Sequence, residues 1–212
     1  MGYDLNNFWE HTKSQKITRS NYLCNFIVET IDNNPLIRRL LRYSTNNPLA
    51  TKSKNKNGEV VLQPILKKSL TLDSDEGEKV LFNCAFNSDM KTEQKTDIYI
   101  SNPQNVFRTD DMGDLSFIID VVVSNSYDNV KNEDLNMELK RGKMICSIID
   151  DMLDEYTLDD DKYSNVVGNV KFRLTGLKEE RFAKNNDYIV YSMFYLVKAS
   201  SRRTMKGNRL NE

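Results

Sequence analysis

The chain has 212 residues, with 30 lysines and arginines against 31 aspartates and glutamates. That length suits one domain with a real core plus extensions, and the balanced charge excludes a global field that would hold nucleic acid or an anionic membrane. An apolar content of 39 % lies below the usual globular share, so long polar loops are expected around a modest core.

Cys24, Cys84 and Cys146 are far apart, odd in number and each set in an apolar segment, which predicts buried free thiols. No pair has zinc-ligand spacing, and His11 is the single histidine, so a zinc site or a histidine-based triad lacks material. The eight glycines form no phosphate loop. The reading is a protein with no cofactor, no metal and no enzymatic activity. The opening Met-Gly-Tyr-Asp lacks a signal-peptide pattern, Asn6 stands where myristoylation asks for serine or threonine, and no apolar run approaches the roughly 20 residues of a membrane span. A cytosolic protein without membrane contact is expected.

In chain order, Ser20 is the candidate cap of a helix that buries Leu23, Phe26, Ile27 and Ile31 and ends near Asp32. Asn34 caps a second helix with Pro35 at its first position. Leu36, Ile37, Leu40 and Leu41 form its apolar face, and Arg38, Arg39 and Arg42 a solvated one. Residues 44 to 58 read as a flexible loop or an arm, and 63 to 78 as a mixed continuation. Strands follow over Val80 to Phe86, around Ile98 and Ile100, and over Leu115 to Val123, the last nearly all apolar and so central and covered on both sides. The strongest helical pattern runs from about Asp134 to Tyr156, with Ile145, Ile148, Ile149 and Met152 on one face. Two more strands, Val170 to Leu174 and Ile189 to Val197, read as antiparallel neighbours joined through 175 to 187.

This order predicts an α+β fold: a mostly antiparallel sheet of four to five strands, helices packed on one face, N-terminal helices and long polar loops. The expected domains are a helical segment and arm over 1–58, a core over 59–199 and a basic tail over 200–212.

Asp120 in an apolar strand, followed by Glu138-Leu139-Lys140, has the residue types of a magnesium-dependent nuclease, in which carboxylates hold the metal and a lysine steadies the attacking water. The Glu-x-Lys element falls at the start of the helical pattern, where such enzymes place a strand. The bland alternative is an Asp120 bonded to backbone or to a lysine. The acidic run from Asp150 to Asp161 lacks the glycine and closing glutamate of a calcium loop and reads as a solvated helix end. Tyr191 and Tyr195 share a face with Ile189 and Met193 and are expected inside. The tail carrying Arg202, Arg203, Lys206 and Arg209 is a possible contact for phosphates or an acidic partner, and a third reading is a nucleic-acid adaptor built on it.

Several stretches together resemble the tail-terminator and neck-ring proteins of bacteriophages. They are Phe117-Ile118-Ile119-Asp120-Val121-Val122-Val123, Lys140-Arg141-Gly142-Lys143 leading the helix Met144 to Leu153, Val167-Gly168-Asn169-Val170-Lys171-Phe172, and the closing strand Tyr188 to Tyr195. The resemblance spans Leu115 to Ala199. It implies a homo-oligomeric ring at the head–tail junction, in the virion after assembly in the bacterial cytoplasm. Such a ring touches neighbouring portal-side or tail-side rings and makes non-specific contact with passing DNA. Its sheets join around the ring, with helices on the outer side. The interface or DNA-channel candidates are Arg38, Arg39, Arg42, Lys52, Lys54, Lys56, Arg202 and Arg203, with the Thr45 to Gly58 stretch as an arm that orders on docking.

Overall fold

The computed structural model describes residues 16–42, 48–49, 52–54, 57–58, 60–62, 69–71, 79–88, 95–107, 112–132, 137–154, 170–182 and 187–200. Their helices are α1 (Lys16–Asn33), α2 (Pro35–Arg42) and α3 (Arg141–Asp154). The strands are β1 (Lys52–Lys54), β2 (Val60–Leu62), β3 (Leu81–Phe82), β4 (Asp97–Phe107), β5 (Met112–Ser124), β6 (Asn129–Asn132), β7 (Met137–Lys140), β8 (Val170–Phe182) and β9 (Tyr188–Ser200). No helix among them is long and apolar enough to cross a membrane.

The expected α+β fold is present. Five strands form one mixed sheet in the order β3-β4-β5-β9-β8, with β3 parallel to β4 and every other pair antiparallel. β5 and β9 pair along their whole lengths at the centre, where Phe117 faces Tyr195 and Val121 faces Tyr191. Because successive side chains alternate between faces, Phe117, Ile119, Val121 and Val123 join Ile189, Tyr191, Met193, Tyr195 and Val197 on one face, all buried. Leu23, Phe26, Ile27 and Ile31 of α1 and Ile145 and Ile149 of α3 cover that face in one continuous core. The other face carries a smaller cluster of Tyr99, Val122, Tyr188 and Val190, with Phe82, Phe86 and Phe182 against it.

α1 starts at Lys16, with neither glycine nor proline to break it earlier, so Ser20 lies inside the helix, buried, and is not its cap. Asn34 does cap α2: its Oδ1 accepts the N–H of Leu36 at 2.9 Å and of Ile37 at 3.1 Å. The faces of α2 differ from expectation. Leu36 is 46 % exposed while Arg39 is buried, because this two-turn helix is wedged between α1 and α3. Arg38 is no solvated side chain either: its guanidinium donates to the backbone carbonyl and, at 3.1 Å, to the carboxylate of Asp32. The same carboxylate accepts the Ser69 hydroxyl at 2.6 Å and the Leu70 N–H at 2.8 Å, which drives Leu70 into the core.

Four further expectations are corrected. Lys52–Lys54, within the stretch read as a flexible loop, pair as a hairpin with Val60–Leu62 just beyond it, with Gly58 at φ 80°, a left-handed conformation suited to glycine. The Val80 to Phe86 run supplies only the two-residue β3 before the chain bends, letting Phe86 turn back over Tyr99 and Tyr188; Cys84 in that bend is exposed, whereas Cys24 and Cys146 are buried. The last two strands are longer than predicted, so β8 runs on through residue 182. The long helix begins at Arg141, not near Asp134, because Met137–Lys140 pair with β6 and bury Val130 against the core.

Candidate functional site

Two arrangements stand out: a buried polar knot beneath α3, and the sheet face that the helices leave open. The knot centres on Asp128, fully buried. Its carbonyl accepts the Arg141 N–H, its Oδ1 accepts the Gly142 N–H at 3.1 Å, and its Oδ2 accepts the Tyr191 hydroxyl at 3.0 Å. Asp128 therefore serves as a remote N-cap that fixes where α3 starts. Arg141, 1 % exposed, donates from Nε to the Tyr127 carbonyl at 2.7 Å and from a terminal nitrogen to the Leu40 carbonyl, joining the end of α2 to the sheet. Burial lowers its pKa to about 10 despite the opposing pull of Asp128. Burial, then Asp128, raises the Tyr191 hydroxyl above its ordinary range. Every group in the knot is engaged in holding α3 and α2 on the sheet, which is a structural task.

The nuclease residues are not brought together. Lys140 reaches Asn129 Oδ1 at 2.7 Å and Asp128 Oδ2 at 3.5 Å, so its amine sits beside the Tyr191 hydroxyl on the helix face. Asp120 accepts the hydroxyl of Ser192 at 2.6 Å. Tyr191 and Ser192 are consecutive strand residues and point to opposite faces, so Asp120 and Lys140 lie on opposite sides of the sheet. Asp120's bond is thus to a central-strand serine, neither to backbone nor to a lysine. Its pKa is raised, chiefly by burial and further by Glu180, against the lowering effect of the Ser192 hydrogen bond. Among the described residues no group of three or more His, Cys, Asp or Glu could hold a metal ion.

The open face is the larger feature. Around Asp120 and Ser192 it presents Ile118, Phe194 and Leu196, each half-buried, with the aromatic cluster of Phe86, Tyr99 and Tyr188 closing one end. At its margin β8 is the outermost strand, 13 residues long, and Lys178 and Glu180, cross-strand from Ser192 and Val190, border the face. No described helix covers this face. A separate cleft of about 300 Å³ lies between α1 and β3, lined by Asn25, Glu29, Asp32, Lys79 and Asn83 among others. Asn83 donates to Asn25 across it at 3.1 Å, and Asp32 is committed to Arg38 and the Ser69 segment.

Of the other residues singled out in the sequence, Arg42 is half-buried at the end of α2, and Lys52 and Lys54 stand on β1. Lys56, Arg202 and Arg203 lie outside the described residues. Tyr191 and Tyr195 are inside, as their alternation predicted.

Residues 34–197 match the family model YomW, from the cap of α2 to Val197, three residues before the end of β9. The chain belongs to the YomW family. YomW derives from an SPbeta-type Bacillus prophage, which makes this a phage-associated protein. The YomW match takes in α2, α3 and all five strands of the main sheet, and so both the polar knot and the open face, while α1 precedes it. No curated protein matches the chain.

Proposed function

We propose that the chain is a structural subunit of the phage head–tail junction, a tail-terminator or neck-ring protein that assembles with its own copies around the DNA channel and joins portal side to tail side. In this reading it acts in the virion by contact, without chemistry of its own. Membership of YomW supports a phage role, and the α+β architecture with helices on one sheet face agrees with the resemblance to ring proteins. The observation that carries the reading furthest is the open face, where Ile118, Phe194 and Leu196 stay half-accessible in a continuous strip across the two central strands. Apolar side chains left accessible together on one sheet face are the kind of surface on which protein contacts form.

Immunogold labelling of purified virions, together with disruption of the gene, tests this. Label confined to the neck and accumulation of separate DNA-filled heads and tails are the expected outcomes. Intact infectious particles made without the protein, or label on the capsid shell or distal tail, would refute the reading.

A further inference from the structure

Exposed charges on the main sheet are treated differently at its two ends. At one end they pair: Lys178 with Glu180 at 2.7 Å, and Glu179 with Lys143 of α3 at 3.2 Å. At the other end they segregate by sign onto opposite faces. Lys171 of β8 is the direct cross-strand partner of Lys198 of β9, and Arg173 stands two residues along the same side of β8; all three are exposed. Asp114 follows Lys198 in the row, so the corner keeps a net positive charge. Like charges directly opposite in an antiparallel pair repel; Asp114, cross-strand from Lys198 on β5, offsets one of the three cations, and Lys171 and Arg173 form no ion pair among the described residues.

On the helix face of that same end, α3 finishes with Asp151 and Asp154, both exposed, and has no basic residue in its last turn. The direction of α3 fixes this placement. Its first turn lies at Tyr191, through Gly142, and Asp150 accepts the Tyr195 hydroxyl at 2.8 Å, so Asp154, one turn on, reaches the level of Val197. Carboxylates at a helix C-terminus face the negative end of the helix dipole. The two sides of one sheet end therefore carry an excess of opposite sign, the basic side offset only in part by Asp114.

We propose that these two corners meet between copies of this chain: the Lys171/Arg173/Lys198 corner of one copy docks on the Asp151/Asp154 end of α3 in the next. Because the two surfaces differ, the contact is heterologous and propagates head to tail, closing into a ring or running on as an open chain. Half-buried Leu196, beside Arg173, lies within the basic footprint and gives the contact an apolar centre. The inference rests on the ring reading only for closure; the pairwise contact stands or falls separately.

The test uses the full chain and sedimentation velocity across protein concentration, at about 0.15 M and about 1 M salt, where the screening length falls from ~8 Å to ~3 Å. Wild-type protein is expected to form species beyond the monomer that are lost at high salt. Lys171→Glu/Arg173→Glu and Asp151→Lys/Asp154→Lys should each sediment as monomers, with circular dichroism unchanged and the melting midpoint no lower than wild type, because all four positions are exposed and each swap removes a repulsion. A 1:1 mixture of the two double variants should assemble again as an alternating species, since each wild-type surface meets its wild-type complement and each swapped surface its swapped complement, and the quadruple variant alone should likewise regain the larger species. A monomeric wild type, double variants that assemble normally, or a quadruple variant that stays monomeric would each overturn the proposal. Loss of duplex-DNA binding on Lys171→Glu/Arg173→Glu with wild-type assembly would overturn it too, in favour of a phosphate-facing corner. Charge-swap rescue in a protein that immunogold places away from the neck would keep the contact and reject the junction role.

Discussion

Replacing Asp128 by asparagine changes one atom's chemistry and should unsettle the whole helix face. The asparagine fits the same space, yet the negative charge beside the buried guanidinium of Arg141 disappears, and one of the two side-chain positions that accept from Gly142 N–H and Tyr191 Oη becomes an amide donor. Leaving a buried polar group without its hydrogen-bond partner costs about 1–3 kcal/mol. At ~2–4 °C per kcal/mol for a chain of this size, the melting midpoint should fall by roughly 2–12 °C. Thermal and urea unfolding of Asp128→Asn measure the loss. Arg141→Met in the same background should recover part of it, by a coupling of about 0.5–3 kcal/mol in a double-mutant cycle, although the carbonyls of Leu40 and Tyr127 then lose their donor. A loss under about 1 kcal/mol, or strictly additive variants, would refute the view that Asp128 and Arg141 form the keystone between α2, α3 and β9.

Asp120→Asn should behave in the opposite sense. Burial raises the folded-state pKa of Asp120, so the native state holds its proton more tightly than the unfolded state, and the protein loses stability as pH rises from the unmodified value of 3.8 through the raised one. Asparagine still accepts from Ser192 and carries no charge, so the variant should be more stable than wild type at neutral pH and indistinguishable well below pH 3.8, as read by unfolding midpoints across pH. Gly142→Ala would place a methyl 2.0 Å from the Tyr191 ring; the overpacking should cost about 1–3 kcal/mol, seen as a lower urea midpoint. Native protein should expose one thiol, Cys84, to a disulfide reagent at neutral pH, and all three only after unfolding, because burial pushes Cys24 and Cys146 up to about 12.

Local pattern carried much of the architecture. The alternation of Ile189, Tyr191, Met193, Tyr195 and Val197 sufficed to place β9 and to put its tyrosines inside, because side-chain period and burial are local properties of a strand. Asn34-Pro35 likewise marks the start of α2, since a side-chain cap and a fixed φ act within a few residues. The sheet class and the helices on one face follow from the order of such elements. What sequence could not supply were the contacts between distant segments. Arg141 at a helix start reads as a surface charge until Leu40, Tyr127 and Asp128 close around it. Glu138-Leu139-Lys140 continues the helical pattern of α3 until β6 claims it as a strand. Arg39 reads as solvated until α1 and α3 enclose the short helix that bears it. Asp120 and Lys140 look like partners in a one-dimensional list, and the sheet between them keeps them apart. The sign-segregated corners, built from Lys171, Arg173 and Lys198 on one face and Asp151 and Asp154 on the other, likewise exist only through register and helix direction. Propensity and periodicity decide what each segment becomes; which charges end up neighbours is decided by packing across the sheet.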